Sequence, residues 1–246
     1  MSEIAIITGG GTGIGQALAV WLAKRKFDVL VVGRTLDPLQ NTAKFLPEKI
    51  RYLTADVSKE MDRQKINTKI DDQKIKLLIH NAAVLSPTGD ILNVDAAQFE
   101  QQLAINLEAP LFLTQCLLKN MLPGGRVFCV SSGAAYSAIP GLDSYCVSKA
   151  ALTMLYNVLK NSLKKHQIQI GSAFPGIVDT PMQELIRSLD VNDFPQVDFF
   201  RFFKEEGKLL SPQKVAECFG WLLLDADDET FSKKDWDIKE LLDIVK

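Results

Sequence analysis

Short apolar runs alternate with amphipathic stretches along most of the 246-residue chain. Most of the six short runs are almost continuously apolar, which is typical of strands covered by helices on both faces. Longer stretches at helical spacing lie between them, most clearly Ala96–Leu118 and Ser144–Lys165. This alternation predicts one α/β domain over residues 1–246 with a doubly wound parallel sheet. The predicted strands are Ile4–Thr8, Val29–Gly33, Ile50–Thr54, Lys76–His80, Arg126–Ser131 and Gln169–Phe174.

Residues 184–210 break this rhythm because they are rich in phenylalanine and charge. We expect a small helical flap inserted beside the sheet. Its rings are too numerous for a solvated loop, which leaves two interpretations. Either the flap closes over a bound substrate and excludes water, or its rings simply pack on the sheet. The rings concerned are Phe199, Phe200, Phe202 and Phe203.

Composition narrows the class of protein. Lys and Arg number 28 against 30 Asp and Glu, so no basic excess indicates a nucleic-acid partner. No apolar run reaches the ~18 residues of a membrane span, and the first residues resemble no secretory signal. Two histidines, His80 and His166, argue against a zinc site and a Ser-His-Asp hydrolase. Four scattered cysteines indicate a reducing compartment, so we expect a metal-free cytoplasmic protein without a membrane or nucleic-acid partner.

The stretch "ITGGGTGIG", residues 7–15, is a candidate phosphate-binding loop. It does not fit the G-x-G-x-x-G fingerprint, but it reads Thr8-Gly9-x-x-x-Gly13-x-Gly15. The glycines follow the first strand and open a helix, where backbone N–H groups point at an anion and small residues let it approach. The pattern predicts the pyrophosphate site of a Rossmann-like sheet; the alternative is a plain glycine-rich turn.

Candidate acid–base chemistry lies downstream in "VSSGAAYSAIPGLDSYCVSKAAL". Tyr145 and Lys149 are four residues apart on a predicted helix and therefore share a face. A free phenol, with a pKa of about 10, is a poor acid or base near neutrality, whereas an adjacent ammonium favours its ionised form. Ser132 ends the preceding strand and is placed to donate a hydrogen bond to a carbonyl. Taken alone, such a Tyr–Lys pair is usually just a helix face.

In combination, these motifs resemble the short-chain dehydrogenase/reductase family in order and spacing, including the 13 residues from Ser132 to Tyr145. The likeness extends over essentially the whole chain. It implies that Tyr145 gives a proton to a carbonyl oxygen and that Lys149 lowers the Tyr145 pKa and holds the nicotinamide ribose. It implies also that Ser132 orients the carbonyl, while Asn106 kinks its helix and holds a water for proton relay. The family's Asn-Asn-Ala-Gly is replaced here by His80-Asn81-Ala82-Ala83, a change we expect to be tolerated.

The second strand indicates the cofactor. A site for NAD places an acid at the end of this strand, whereas an Arg nearby suits the 2′-phosphate of NADP. Here Gly33 stands at that position and Arg34 follows, which predicts NADP(H); the alternative is that Arg34 is a surface charge. Asp56 matches the family's adenine contact, although it is equally placed to cap a helix. The full set of expected cofactor residues is Gly9, Gly11, Thr12, Gly13, Ile14, Gly15, Arg34, Thr35, Asp56, Val57, Asn81, Ala82, Tyr145, Lys149, Pro175, Gly176, Val178 and Thr180.

Three later features narrow the likeness: the segments "PGIVDTPMQELIR" and "FFKEEGKLLSPQKVA" and the acidic Asp237 of "DWDI". In them the chain resembles the sepiapterin reductase/benzil reductase branch of the family. This resemblance implies that Met182 and Gln183 line the substrate pocket and that Asp237, in the last strand, anchors a pterin ring. Alternatively, Asp237 is an exposed residue near the carboxyl end of the chain. The expected substrate-binding residues are Ser132, Gly133, Tyr145, Gly176, Met182, Gln183 and Asp237.

The leading hypothesis is an NADPH-dependent reductase of a small dicarbonyl or a pterin. A reductase of another small ketone or alcohol, an acyl-carrier-linked ketone included, and a non-catalytic NADP-binding regulator are the alternatives. The acyl-carrier version is disfavoured by the absence of a Gly-rich "TGQ…DGG" ending. The helices Ala96–Leu118 and Ser144–Lys165 carry apolar residues on more than one face, so we expect a homodimer or homotetramer.

Overall fold

The computed structural model describes residues 3–245 and contains, within them, one seven-stranded sheet. All neighbouring strands are parallel, in the order β3-β2-β1-β4-β5-β6-β7. The predicted α/β class and doubly wound sheet are confirmed, and each of the six predicted strands is present. The strands are β1 Glu3–Thr8, β2 Asp28–Gly33, β3 Ile50–Thr54, β4 Lys74–His80, β5 Met121–Val130, β6 Gln169–Phe174 and β7 Asp235–Asp237.

Helices cover both faces of this sheet. The stretch predicted as one helix over Ala96–Leu118 is instead two α-helices joined by a π-helical turn, Ala104–Glu108. The helix predicted at Ser144–Lys165 begins and ends one residue earlier. The α-helices are α1 Gly13–Lys24, α2 Leu36–Ala43, α3 Glu60–Ile70, α4 Ala96–Leu103, α5 Ala109–Leu117, α6 Asp143–Lys164, α7 Pro181–Ser188, α8 Val197–Glu205, α9 Pro212–Leu224, α10 Asp228–Ser232 and α11 Ile238–Ile244.

Two apolar cores lie on opposite faces of the sheet, because successive strand residues point to opposite sides. In β1, Ala5 and Ile7 join the core beneath α1 and α9, while Ile4 and Ile6 join the core beneath α3, α5 and α6. Both sets are fully buried. This explains why the central strands are continuously apolar in sequence.

The flap consists of α7, α8 and the segment between them. Phe194 and Val197 are fully buried in a third apolar cluster that also contains Tyr145. Phe199 and Phe202, by contrast, are 48% and 47% exposed. The Phe199 ring lies 4.4 Å from that of Phe203 and 5.4 Å from that of Phe200. The flap is therefore anchored in this cluster by Phe194 and Val197, with Phe200 packed against them, while Phe199 and Phe202 remain partly open to solvent.

An apolar stripe remains exposed on the outer face of α6. Val147, Met154 and Val158 are 49%, 63% and 54% exposed and follow each other at helical spacing, and Phe112 of α5 is 39% exposed. Within residues 3–245, the structure contains no helix that is both long and apolar enough to span a membrane.

Candidate active site

The glycine loop forms a close-packed cradle between β1 and α1. Gly9 and Gly13 have φ values of +66° and +54°, which lie in the left-handed region that residues with a side chain rarely adopt. A Cβ on Gly15 would lie 2.3 Å from the carbonyl oxygen of Gly9, so only glycine fits there. Thr12 precedes α1, but its side chain does not cap the helix. The first turn of α1 thus presents backbone N–H groups beside a loop composed mostly of glycine, which fits a pyrophosphate.

Thr8, at the end of β1, and Asn81, just after β4, hold this loop in place through hydrogen bonds. The Thr8 hydroxyl accepts from the backbone N–H groups of Asn81 and Ala82, at 3.1 Å each, and donates to Ile79 O at 3.3 Å. The Asn81 amide donates to the carbonyl oxygens of Thr8 and Gly9, both at 3.0 Å. The two predicted cofactor residues that follow β4, Asn81 and Ala82, therefore lie against the glycine loop.

Asn106 lies in the π-helical turn between α4 and α5 and is 1% exposed. Its side chain accepts from Val84 N–H and donates to Val84 O, both at 2.9 Å, and it donates to the Ser148 hydroxyl at 3.0 Å. Asn106 thus joins the segment after β4 to α6. Its expected role in holding a relay water stays a prediction.

Ser132, Tyr145 and Lys149 come together at the carboxyl ends of the strands. The Ser132 hydroxyl accepts from Ala134 N–H at 3.2 Å and lies close enough to the Tyr145 hydroxyl to favour its ionised form. Lys149 is 3% exposed, and its ammonium donates to Val130 O at 3.0 Å. The Lys149 Nζ lies 5.7 Å from the centroid of the Tyr145 ring. The structure therefore brings the predicted proton donor, carbonyl-orienting hydroxyl and cation into one cluster.

Burial is the main cause of the pKa shifts in this cluster. It raises the pKa of Tyr145 to about 12, although the nearby Ser132 hydroxyl acts in the opposite direction. Burial also lowers the pKa of Lys149 to about 8. Lys149 consequently loses its proton before Tyr145 does, and burial raises the pKa of the phenol where the sequence had led us to expect a lowered one. A lowered Tyr145 pKa requires that Lys149 stays charged.

Residues expected at the adenosine end lie at the carboxyl ends of β2 and β3. Arg34 and Thr35 follow Gly33 and are exposed. Asp56 does not cap α3, since its carboxylate accepts from the N–H and hydroxyl of Ser58 in the loop before that helix. Val57 is 7% exposed. Arg34 has no hydrogen-bond or ion-pair partner among the described residues.

The segment after β6 connects the glycine loop to the flap. Pro175 is partly buried, Gly176 has a φ of +67°, and Val178 is buried. Thr180 accepts from Gln183 N–H at the start of α7. A Cβ built on Gly13 would meet Thr180 Cγ2 at 3.0 Å, so the Thr180 side chain packs against the backbone of Gly13. This contact places the predicted Thr180 beside the glycine loop.

The predicted substrate residues fall into two environments. Met182 packs against the apolar cluster that contains Tyr145, whereas Gly133, the residue after Ser132, is exposed. Gln183 is 4% exposed, and among the described residues neither its side-chain nitrogen nor its oxygen has a hydrogen-bond partner. Asp237 ends β7, where it pairs with Phe174, and its carboxylate accepts from Lys239 N–H as the N-cap of α11. A ligand role for Asp237 stays a prediction.

The sequence analysis did not predict several contacts in and around the site. Ser148, which receives a bond from Asn106, carries no local signal. His80, the unusual residue before Asn81, is bonded to Thr114 at 2.8 Å, and burial lowers its pKa to about 3. A neutral His80 therefore serves as a structural link between β4 and α5. Asp235, at the start of β7, was also missed, and its carboxylate accepts from the Tyr136 hydroxyl at 2.9 Å.

Comparisons with known proteins agree with this geometry. The sequence profile of the family described as short chain dehydrogenase matches residues 3–190. A benzil reductase ((S)-benzoin forming) of Bacillus cereus is 32% identical, over 89% of this chain and 92% of its own. The corresponding enzyme of Bacillus subtilis is 30% identical, over 98% and 100%.

Solved structures give the same result. A short chain dehydrogenase/reductase of Saccharomyces cerevisiae superposes with a TM-score of 0.87 at 26% identity, covering 100% of both chains. An actinorhodin polyketide ketoreductase shares the fold, with a TM-score of 0.83 at 22% identity over 96% of this chain and 95% of its own. With its glycine cradle and its cluster of Ser132, Tyr145 and Lys149, the chain belongs to the short chain dehydrogenase family of oxidoreductases, which use nicotinamide cofactors.

Proposed function

We propose that this protein is an NADPH-dependent carbonyl reductase of a small dicarbonyl or pterin substrate. The observation that carries the proposal is the clustering of the Tyr145 phenol, the Ser132 hydroxyl and the Lys149 ammonium beside the glycine cradle. A protonated phenol next to a second hydroxyl is suited to receive a carbonyl oxygen that gains negative charge.

The residues divide the reaction between them. The bound nicotinamide supplies the hydride that reduces the carbonyl carbon. Tyr145 donates its proton to the carbonyl oxygen, Ser132 donates a hydrogen bond to the same oxygen, and the product is an alcohol. The high pKa of the buried phenol keeps Tyr145 protonated, as reduction requires. Lys149 stabilises the phenolate that remains and holds the cofactor ribose.

The proposed preference for NADPH rests on Arg34. Its guanidinium is exposed just beyond β2, next to Gly33, so no carboxylate occupies the strand end where NAD enzymes place one. Guanidinium groups form strong, charge-assisted hydrogen bonds with phosphates.

The proposed substrate class rests on the surroundings of Tyr145. The apolar cluster around Met182 suits the hydrocarbon part of a substrate, and the unpaired Gln183 amide offers a donor and an acceptor to a second polar group. Benzil, the substrate named for the two Bacillus relatives, is a vicinal diketone. A pterin with a dicarbonyl side chain is the other candidate, with Asp237 as its anchor.

We propose also that two or more copies associate through the exposed stripe of α6. Val147, Met154 and Val158 are unusually exposed for apolar side chains, and an apolar helix face is commonly buried in an interface. Light scattering at micromolar concentration should give the mass of a dimer or tetramer; a monomer mass excludes this assembly. The four unpaired cysteines support the proposed reducing, cytoplasmic location.

The function is tested by oxidation of NADPH and of NADH against benzil, a dicarbonyl pterin, a simple monoketone and a β-ketoacyl thioester. We expect the protein to reduce a dicarbonyl with NADPH. In Tyr145→Phe, kcat should fall by about 10²- to 10⁴-fold, while the affinity for the cofactor should change little. Turnover confined to the monoketone or the thioester favours the alternative reductases. Cofactor binding without turnover on any carbonyl favours the non-catalytic regulator.

A further inference from the structure

A row of side chains crosses β5, β6 and β7 on the face of the sheet that α6 covers, and it begins next to Val130, whose carbonyl oxygen accepts from Lys149. Cys129 of β5 pairs with Ser172 of β6, and Ser172 pairs with Asp235 of β7. Paired residues of neighbouring parallel strands point to the same face. Cys129 belongs to the core beneath α6, so Asp235 at the edge strand faces α6 as well.

The Asp235 carboxylate is held in place but only partly satisfied. One oxygen accepts from the Tyr136 hydroxyl at 2.9 Å. Thr153, one helical turn after Lys149 on α6, lies close enough to the Tyr136 hydroxyl to favour its ionised form. The other Asp235 oxygen is buried and has no partner among residues 3–245. Burying an unpaired carboxylate oxygen destabilises a fold, so this arrangement calls for a functional explanation.

The other titratable groups around Lys149 are neutral near pH 7. Burial raises the pKa of Cys129, of Tyr136 and of Tyr145 to about 12 each, and it also raises that of Tyr156. Burial lowers the pKa of Lys149, and two neighbours act in the opposite direction, first Cys129 and then Asp235. Of these two, Asp235 is the carboxylate.

We propose that Asp235 is a positioning residue of the site and the counter-charge that keeps Lys149 an ammonium ion. Among the described residues the two groups form no direct ion pair, which leaves Lys149 free to donate to Val130 O. The attraction acts through the buried interior, where salt screens it weakly. The effect on Lys149 does not depend on the substrate, whereas its consequence for proton transfer from Tyr145 rests on the proposed carbonyl reduction.

The direct test is a pH titration of Lys149 by NMR in the full, ligand-free chain labelled with [ε-¹³C]lysine. The Lys149 resonance is the one that disappears in Lys149→Arg. Asp235→Asn keeps an oxygen for the Tyr136 hydroxyl but removes the charge, so the midpoint of Lys149 should fall by about one pH unit or more. Asp235→Glu, which restores the charge, should recover most of the shift.

Asp243→Asn is the matched control, because it removes the same charge from an exposed position on α11. It should leave the Lys149 midpoint within about 0.3 pH unit, the scale expected for a distant screened charge. Circular dichroism checks that each variant is folded. A folded Asp235→Asn protein with an unchanged Lys149 midpoint overturns the inference.

Kinetics separates this inference from the proposed function. In Asp235→Asn, the high-pH decline of kcat for carbonyl reduction should move to lower pH together with the Lys149 midpoint. A midpoint that moves while the kcat profile stays fixed supports the counter-charge and contradicts the role given to Lys149 in the reaction. If the protein turns over no substrate, the proposed function is wrong. The titration still shows whether Asp235 acts as the counter-charge of Lys149.

Discussion

The two sides of the active-site edge differ in how their buried polar groups are satisfied. On the side of β1, β4 and α5, the side chains of Thr8, Asn81 and Asn106 are all hydrogen-bonded within the chain. On the side of α7 and β7, Gln183 has no side-chain partner and Asp235 leaves one oxygen unpaired among the described residues. Gln102, on the first side, also leaves its oxygen unpaired, but its nitrogen donates to Leu85 O.

This difference indicates a division of labour. Buried polar groups in folded proteins are almost always paired, and each exception requires a reason such as a ligand or a charge that serves another residue. The first side is a preformed framework for the cofactor. The second side leaves polar groups available to act on Lys149 or on a substrate.

The largest effect is expected in the glycine loop of the framework. Gly15→Ala places a methyl group 2.3 Å from Gly9 O and 2.5 Å from Asn81 Nδ2, so the loop has to move. We expect the dissociation constant for NADPH, measured by nucleotide fluorescence, to rise about 100-fold or more, as misplaced preorganised contacts are lost. Gly124→Ala is the control: its φ is +75°, but it lies in β5 away from the loop, and its binding should be normal. Normal binding by Gly15→Ala contradicts a sterically closed cradle.

The next prediction compares one buried amide from each side by leucine substitution. Asn106→Leu leaves Val84 N–H, Val84 O and the Ser148 hydroxyl without their partner, so the free energy of unfolding should fall by about 3 kcal/mol. Gln183→Leu removes a side-chain amide that has no partner within residues 3–245, so stability should stay within about 0.5 kcal/mol or increase. Urea denaturation measures both.

Steady-state kinetics of the Gln183→Leu variant gives a second test of this comparison. Gln183→Leu should raise KM for a dicarbonyl about tenfold, the effect of one lost hydrogen bond, while a monoketone of similar size is unaffected. If Gln183→Leu is destabilised as much as Asn106→Leu, the two sides do not differ in the way described. If it affects both substrates equally, Gln183 does not recognise the second carbonyl.

The smallest effect is expected at the adenosine end. Arg34→Ala should raise KM for NADPH about tenfold through loss of a charge-assisted contact, and it should leave KM for NADH nearly unchanged. Lys119→Ala removes a positive charge from an exposed position remote from β2 and serves as the control. An equal loss with both cofactors removes Arg34 from the phosphate site.

The sequence predicted those features that depend on local spacing. The apolar runs located six strands, the glycines located the start of α1, and a four-residue interval placed Tyr145 and Lys149 on one helix face. Contacts between residues far apart in the chain could not be predicted from the sequence. Asn106 and Ser148 are 42 residues apart, and Tyr136 and Asp235 are 99 apart. Such pairs depend on strand order and register, which no local pattern encodes.

The flap shows the same limit. Its phenylalanines indicated a helical insertion, but the pattern did not separate the buried Phe194 from the exposed Phe199. The separation follows from the packing of Phe194 in the cluster of Tyr145, whereas Phe199 contacts only other flap rings among the aromatic pairs of the described chain.

Hydrogen exchange with and without ligands tests the comparison of the two sides most directly. Amide exchange is measured on the free protein, on its NADPH complex, and on the complex of oxidised cofactor with the alcohol product. If the second side is completed by ligands, residues 181–210 should gain strong protection when both ligands are bound, while β4 and β5 should change little. Equally slow exchange over 181–210 with and without ligands would contradict the account, because the flap would then be as preformed as the framework.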